Sequence, residues 1–429
     1  TMSKEVKIVE AFPENKLILP KQPQHDGFLH VMTNVFRYSC WFGIVGSKRT
    51  IWRIWTSIVL FFLIVVEVNA IWKVIKALAG WAIDIVGHRS VTARFAGTFF
   101  YSISILSLIL CSRLSLSWQE LSTYWISAER AMAITVPPDK FLKRRMVVVI
   151  CFMTTFFEHI MSILSLVGFD CPPNEILRKY TLMSHGFMIL KHEYADWMAF
   201  PLLVISTLAT ALWNFQDLMI VLISMGLTSR YHRLNTCVAK ICFLDKKKTK
   251  MNGKAGVIKV YTWRKIREAY VKQANLVRKM DKALGALIIL SCFCNFYFIC
   301  LQLFLGITQG KSATNLRRLF FLISLAWLGT RVSSLVLAAS GINVHSKNAL
   351  KYIYNCDADC YNVEIERLQT QLSKDFVSLS GMGFFYLNRS ILLQMAGAII
   401  TYELMLIQFD DGGYNDANLT VHNVTSLRK

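Results

Sequence analysis

Seven stretches of this chain are each long and apolar enough to cross a lipid bilayer, and that limits the possible folds more than any other feature. A hydrocarbon layer about 30 Å thick takes about 20 helical residues. The stretches are Ile54 to Trp72, about Thr92 to Ser115, Met146 to Phe169, Trp197 to Leu227, Ala283 to Ile307, Leu319 to Gly341 and about Phe384 to Phe409. Inside lipid the backbone must satisfy its own hydrogen bonds, and runs of this length do so as helices. The predicted fold is an all-α integral membrane protein with seven transmembrane helices. Of the 429 residues, 54% are hydrophobic, more than a water-soluble chain usually carries.

The charges between spans predict the orientation. The net charge of +21 fits either nucleic-acid binding or the bias of basic loops toward the cytoplasm. Between the fourth and fifth spans lie Lys246, Lys247, Lys248, Lys250, Lys254, Lys259, Arg264, Lys265 and Arg267, opposed by Asp245, Glu268 and Asp281. Lys140, Lys143, Arg144 and Arg145 lie between the second and third. Basic charge confined to loops beside spans excludes nucleic acid as a partner. It places the N-terminus in the cytoplasm and the C-terminus outside. The segment between the third and fourth spans agrees, since Asp170, Glu175, Glu193 and Asp196 balance its cations. Asn418 and Asn423 each begin a glycosylation sequon in the tail and point the same way. This orientation is the reverse of a G-protein-coupled receptor. The polar start shows no cleavable leader, so the first span directs insertion into the plasma membrane.

The chain divides on this reading into a cytoplasmic segment at 1–50, spans one to four at 51–230, a basic cytoplasmic anchor at 231–282, spans five and six at 283–345, a cytoplasmic amphipathic stretch at 346–382, the last span at 383–409 and an extracellular tail at 410–429. Helical spacing continues past the fourth span to Cys242 and begins near Tyr261 before the fifth, so helices four to six project into the cytoplasm. Val363, Ile365, Leu368, Leu372 and Phe376 alternate with Glu364, Glu366, Arg367 and Lys374, which predicts an amphipathic helix over Asn362 to Phe376. Cys356 and Cys360 lie on the reducing side, where a stable disulfide is disfavoured. No zinc spacing, His-rich cluster or Ser/His/Asp arrangement is present, so neither a metal, a cofactor nor an enzyme is expected. A membrane transporter could share intramembrane Glu and His, but the chain shows no internal repeat.

The most specific string is Thr401-Tyr402-Glu403-Leu404-Met405-Leu406-Ile407-Gln408-Phe409. With Gly383-Phe384-Phe385-Tyr386-Leu387-Asn388-Arg389-Ser390 upstream, it resembles the last-helix signature of insect gustatory receptors, in the variant of the sugar-sensing clade. Glu403 departs from the general pattern, which has an apolar residue there. The resemblance implies a ligand-gated, non-selective cation channel in the membrane of a sensory dendrite. It implies a tetramer of this chain or of related subunits, with one seventh helix per subunit around the pore. Carried onto this sequence, Gln408 and Phe409 constrict the pore with Ile407 and Met405 beside them. A Phe ring can close a pore by dewetting, and Asp410 and Asp411 would concentrate monovalent and divalent cations at its outer mouth.

A sugar pocket needs carboxylates or amides for hydroxyls and aromatic faces for the ring. The outer halves of the spans offer Arg94 and Tyr101, Glu158 and His159, Asp196 and Trp197, Asn295, Tyr297 and Gln302, and Trp327. Glu158-His159 stands out because ionisable groups inside a span are costly. These two can instead contact each other or Arg94. Asp196 also fits a helix N-cap, and Trp197 an interfacial aromatic belt. Asp217 and Asn214 lie deeper, where packing or a hydrogen bond to Arg331 is expected. Glu67 is expected to face protein. A non-sugar tastant is the alternative ligand.

Overall fold

The structure, a computed structural model, describes residues 27–46, 50–81, 91–130, 142–189, 191–248, 256–309, 315–356 and 361–405. Two helices exceed fifty residues, and they set the dimensions. α6 spans Asp196–Lys248 and α7 spans Gly256–Gln309. At 1.5 Å per residue each is about 80 Å long, against a hydrocarbon layer of about 30 Å. They run antiparallel, so the polar half of each leaves the apolar layer at the same end of the bundle. Around them stand α2 (Thr50–Leu78), α3 (Val91–Arg130), α4 (Leu142–Val167) and α8 (Asn315–Lys347). These six are the helices long and apolar enough to cross a membrane among the described residues. The shorter apolar helix α11, Ser390–Met405, ends where the described residues end. The expected continuation to Phe409 therefore lies outside them.

Shorter elements complete the chain. α1 (Gly27–Ser39) precedes the first span, α5 (Ile176–Ser184) lies between α4 and α6, and α9 (Leu350–Ile353) and α10 (Val363–Lys374) fill the polar end. The sequence reading contains neither α1 nor α5. α1 buries Phe28, Met32, Val35 and Phe36 on one side, a helical spacing that only packing could reveal as ordered. The Phe28 ring meets Trp125 at 4.6 Å and Trp118 at 6.3 Å on α3. Its edge also fills the space beside Gly226 on α6, where a Cβ would come within 2.8 Å.

The second span corrects its expected end most. It was expected to stop near Ser115, and the helix continues to Arg130. Trp118, Leu121, Trp125 and Ala128 are buried at helical spacing, the two tryptophans against Phe28 and Phe36 of α1, so tertiary packing extends the helix beyond its apolar run. Lys279 of α7 meets Glu120 at 2.7 Å. Arg230 of α6 lies over the Trp125 ring and donates from Nε to Gln273 at 2.7 Å. Gly168, at φ +80°, stops α4 by taking the left-handed conformation that favours glycine.

α10 forms as expected. Asn362 caps it by accepting from the backbone N–H of Glu364 and Ile365 at 3.0 and 3.1 Å, and Ile365, Leu368 and Leu372 turn inward. Arg267 and Arg367 donate to Glu364 at 2.7 and 2.9 Å. The Arg267 hydrogen bond comes first in holding that carboxyl below its ordinary range. The seventh helix was expected to start at Phe384, and it starts at Ser390. Residues 380–386 instead close a tight turn, with Met382 and Gly383 at positive φ and Ser380 bridged to Tyr386. Asp281 on α7 pins the turn by accepting from the Ser380 N–H at 2.6 Å and its hydroxyl at 2.9 Å. Asn388 then accepts from the Ile391 N–H and opens α11.

Deep in the bundle, Asp217 of α6 accepts from Arg331 of α8 at 2.5 Å and from Ser291 and Asn295 of α7, the latter at 3.0 Å. Removing one member of a buried ion pair leaves an uncompensated charge and costs about 3–5 kcal/mol. Asp217→Leu should abolish recovery of folded protein. Pairing it with Arg331→Met should restore most of it, measured as monodisperse yield and melting temperature in detergent. Equal losses in the single and double variants would show that the pair's charge is not what the site tolerates poorly.

Candidate functional site

The residues singled out in the spans separate into three groups. The first is a polar seam on α4. The Glu158 carboxylate accepts from the Ser324 hydroxyl of α8 at 2.9 Å. Its neighbour His159 turns the other way, with Nε2 3.1 Å from the Thr207 hydroxyl of α6. Both are half-buried. The two adjacent residues therefore contact opposite helices rather than each other, and each already holds a hydroxyl. Trp327 lies one turn beyond Ser324 on α8, and its indole N–H is enclosed without a hydrogen-bond acceptor among the described residues.

The second group holds the bundle together. Asn295 belongs to the buried Asp217 network, as Arg331 does. Asn214 donates to the Thr210 carbonyl of its own helix. Arg94 donates to the Lys73 carbonyl at 3.2 Å and ties α3 to α2. Glu67 of α2 is buried and accepts from Ser102 of α3 at 2.6 Å. Tyr297 packs at a tilt against Phe99 of α3 with ring centres 4.0 Å apart. Gln302 donates to the Phe321 carbonyl at 3.4 Å. Phe321 presses so close to Gly306 that a Cβ there would lie 2.1 Å from the ring.

The third group sits on the surface. Asp196 and Trp197 open α6, and Trp197 is 76% exposed. Met405 is exposed on α11. Gln408, Phe409, Ile407, Asp410, Asp411, Asn418 and Asn423 lie outside the described residues.

Sequence reasoning passed over the segment after α5, which folds inward. His185, Phe187, Met188 and Ile189 are buried between α3 and α6. Tyr101, one of the expected pocket residues, bonds through its hydroxyl to His185 Nε2 at 2.8 Å. Tyr180 bonds Ser206 at 3.2 Å just beside it. Phe187 covers Gly97, where a Cβ would lie 2.5 Å from the ring. This segment closes the end of the bundle where α3 and α6 begin and α4 ends. Its signal in the sequence is an apolar run, Phe187-Met188-Ile189, too short for a span and too apolar for an open loop.

The family model described as trehalose receptor matches residues 44–417. The chain belongs to the trehalose receptor family of insect gustatory receptors. Among curated relatives in Drosophila melanogaster, gustatory receptor for sugar taste 64a is 29% identical over 75% of this chain and 70% of its own length. Gustatory receptor 5a for trehalose is 27% identical over 86% of this chain and 79% of its own length. In the solved structures, the olfactory receptor OR5 of the insect Machilis hrabei, in complex with eugenol, superposes with a TM-score of 0.65 at 12% identity. That match covers 89% of this receptor and 98% of OR5. The receptor is thus a multi-pass membrane protein with the helical fold of OR5, in a family of receptors and not of enzymes.

Burial pushes the His185 imidazole of this receptor down to about 4 from its ordinary 6.5. A lifted segment takes up a proton below pH about 6.5, and the docked one does so only below about 4. The docked state therefore loses stability as pH falls through that window, and above pH about 6.5 it is insensitive. Thermal stability in detergent should drop between pH 6.5 and 4, and His185→Gln should flatten the slope. The same slope in that variant would assign the titration to another group.

Proposed function

We propose that this chain is a subunit of a sugar-gated, non-selective cation channel acting as a sweet-taste receptor at the plasma membrane of a sensory dendrite. The observation that carries this reading is the polar seam. Glu158 and His159 each bond a hydroxyl, Ser324 and Thr207, on the helices that flank α4. A sugar offers the same group. It can replace one hydroxyl with another without stranding the carboxylate or the ring. The net gain per exchange is small, so affinity for a free sugar is weak. Trp327 brings an apolar face for a sugar ring and an N–H that has yet to find an acceptor. Relatives named for sugar taste and for trehalose support the ligand class.

In this reading the N-terminus lies in the cytoplasm with the polar ends of α3, α6, α7 and α8, and the C-terminus lies outside. The loop holding His185 then closes the outer end of the pocket. α11 continues as the seventh span and lines the pore, with Gln408 and Phe409 at its constriction, Met405 and Ile407 on its approach, and Asp410 and Asp411 drawing cations to the mouth. Asn418 and Asn423 carry glycans in the exterior tail. Leu393, Ile400 and Leu404 stand exposed along α11 in a single chain. An apolar face of this kind suits a tetramer of this chain or of related subunits around a central axis.

Recordings from cells expressing the chain alone test the proposal. A panel of sugars should evoke a cation current that survives in excised patches. Glu158→Ala should raise the half-maximal sugar concentration about tenfold to a hundredfold, the equivalent of about 1.5–3 kcal/mol for a hydrogen bond to a charged group. Phe409→Ala should increase current in the absence of sugar. Labelled sugar accumulating inside the cell without a ligand-evoked conductance would overturn the channel reading in favour of transport.

A further inference from the structure

We propose that Cys242 and Cys356 form a reversible regulatory disulfide when a peroxide reaches the polar end of the bundle. Both are reduced thiols here, and their sulfurs lie 3.2 Å apart although 114 residues separate them in the chain. Cys242 stands near the end of α6 and is buried. Cys356 follows α9, is half-buried, and directs its thiol toward the Tyr352 carbonyl at 3.7 Å. A disulfide needs about 2.05 Å between sulfurs. About 1 Å of approach, within reach of a side-chain rotation, completes the bond. Cys292, Cys294 and Cys300, by contrast, lie in the apolar half of α7.

The pair has the arrangement of a redox sensor, with one sulfur reachable and a second directly behind it. The Cys356 thiolate attacks one oxygen of hydrogen peroxide, and the O–O bond breaks. Cys356 becomes a sulfenic acid, and the departing hydroxide takes a proton and leaves as water. The Cys242 sulfur then attacks the Cys356 sulfur. The S–S bond forms, the S–O bond breaks, and the oxygen leaves as a second water with the Cys242 proton. Two thiols and one peroxide give one disulfide and two waters, two electrons passing from sulfur to oxygen. A small-molecule thiol reverses the bond by exchange. In a reducing cytosol such a bond is transient, which suits a signal and not a structural staple.

The bond would fasten the end of α6 to α9, which packs against α10. α10 in turn leads through the Ser380 turn into α11. The covalent proposal stands on geometry alone, whereas its effect on gating rests on the channel reading above.

Mass spectrometry of the intact receptor in detergent tests the bond. After hydrogen peroxide, alkylation and non-reducing digestion, a peptide pair joined through Cys242 and Cys356 is expected. It should vanish on reduction and in Cys242→Ser and Cys356→Ser, and persist in Cys360→Ser. Alkylation of both thiols after peroxide, or a bridge to Cys360 instead, overturns the proposal. In cells, peroxide should change the sugar-evoked current at least twofold in the wild type, reversibly with a membrane-permeant reductant. The change should be absent in Cys356→Ser. A linked peptide without a change in current overturns the regulatory role. Absence of any sugar current counts against the channel reading and leaves the mass result to decide the bond.

Discussion

An ion pair removed from water joins the helices on which every other part of this receptor is hung. Asp217 and Arg331 would each be very costly inside the bundle alone. Together each charge faces its counter-charge, with Ser291 and Asn295 also on the carboxylate and the Trp213 ring under the guanidinium. The preceding residue, Gln216, accepts from Ser107 of α3 at 2.6 Å. Two consecutive side chains of α6 thus reach α3 on one side and α7 and α8 on the other. Lipid gives packed helices little hydrophobic reason to stay together, so directional contacts of this kind carry much of the specificity.

The parts of the fold that were legible are those whose signal is local. Six apolar runs became long helices because lipid leaves the backbone no alternative. α10 was legible because Val363, Ile365, Leu368 and Leu372 recur at helical spacing among charged residues. Arg331 was identifiable as a partner of Asp217 because a charge inside a span requires one. Signals that depend on distant contacts were not legible. The extension of α3 to Arg130 rests on tryptophans buried by other helices. The late start of α11 reflects Asp281, 99 residues upstream, holding Ser380 in a turn. His185 and Phe187 found their places only because Gly97 leaves room across the bundle.

The candidate site shows the same division. That Glu158 and His159 deserved attention followed from their cost inside a span. That they diverge, each to a hydroxyl on a different helix, depends on the rotation of α4 about its axis, which no local pattern encodes. Tyr101 was chosen for its chemistry, and its hydroxyl bonds His185 of the inward-folded loop. Asn295 was chosen for the same reason, and it donates to Asp217. In a bundle of this kind polar residues serve both recognition and cohesion, and only the identity of the partner tells the two apart.

The length of α6 and α7 has a mechanical consequence. Each helix is a long rod whose smaller part sits in the apolar layer, with about 45 Å or more continuing beyond it. If such a rod tilts by about 5° within the layer, its far tip sweeps sideways by about 4 Å. Displacements too small to open a gap between helices where they meet lipid are thereby magnified at the polar end. α9 and α10 rest against that end, and α10 leads on to α11.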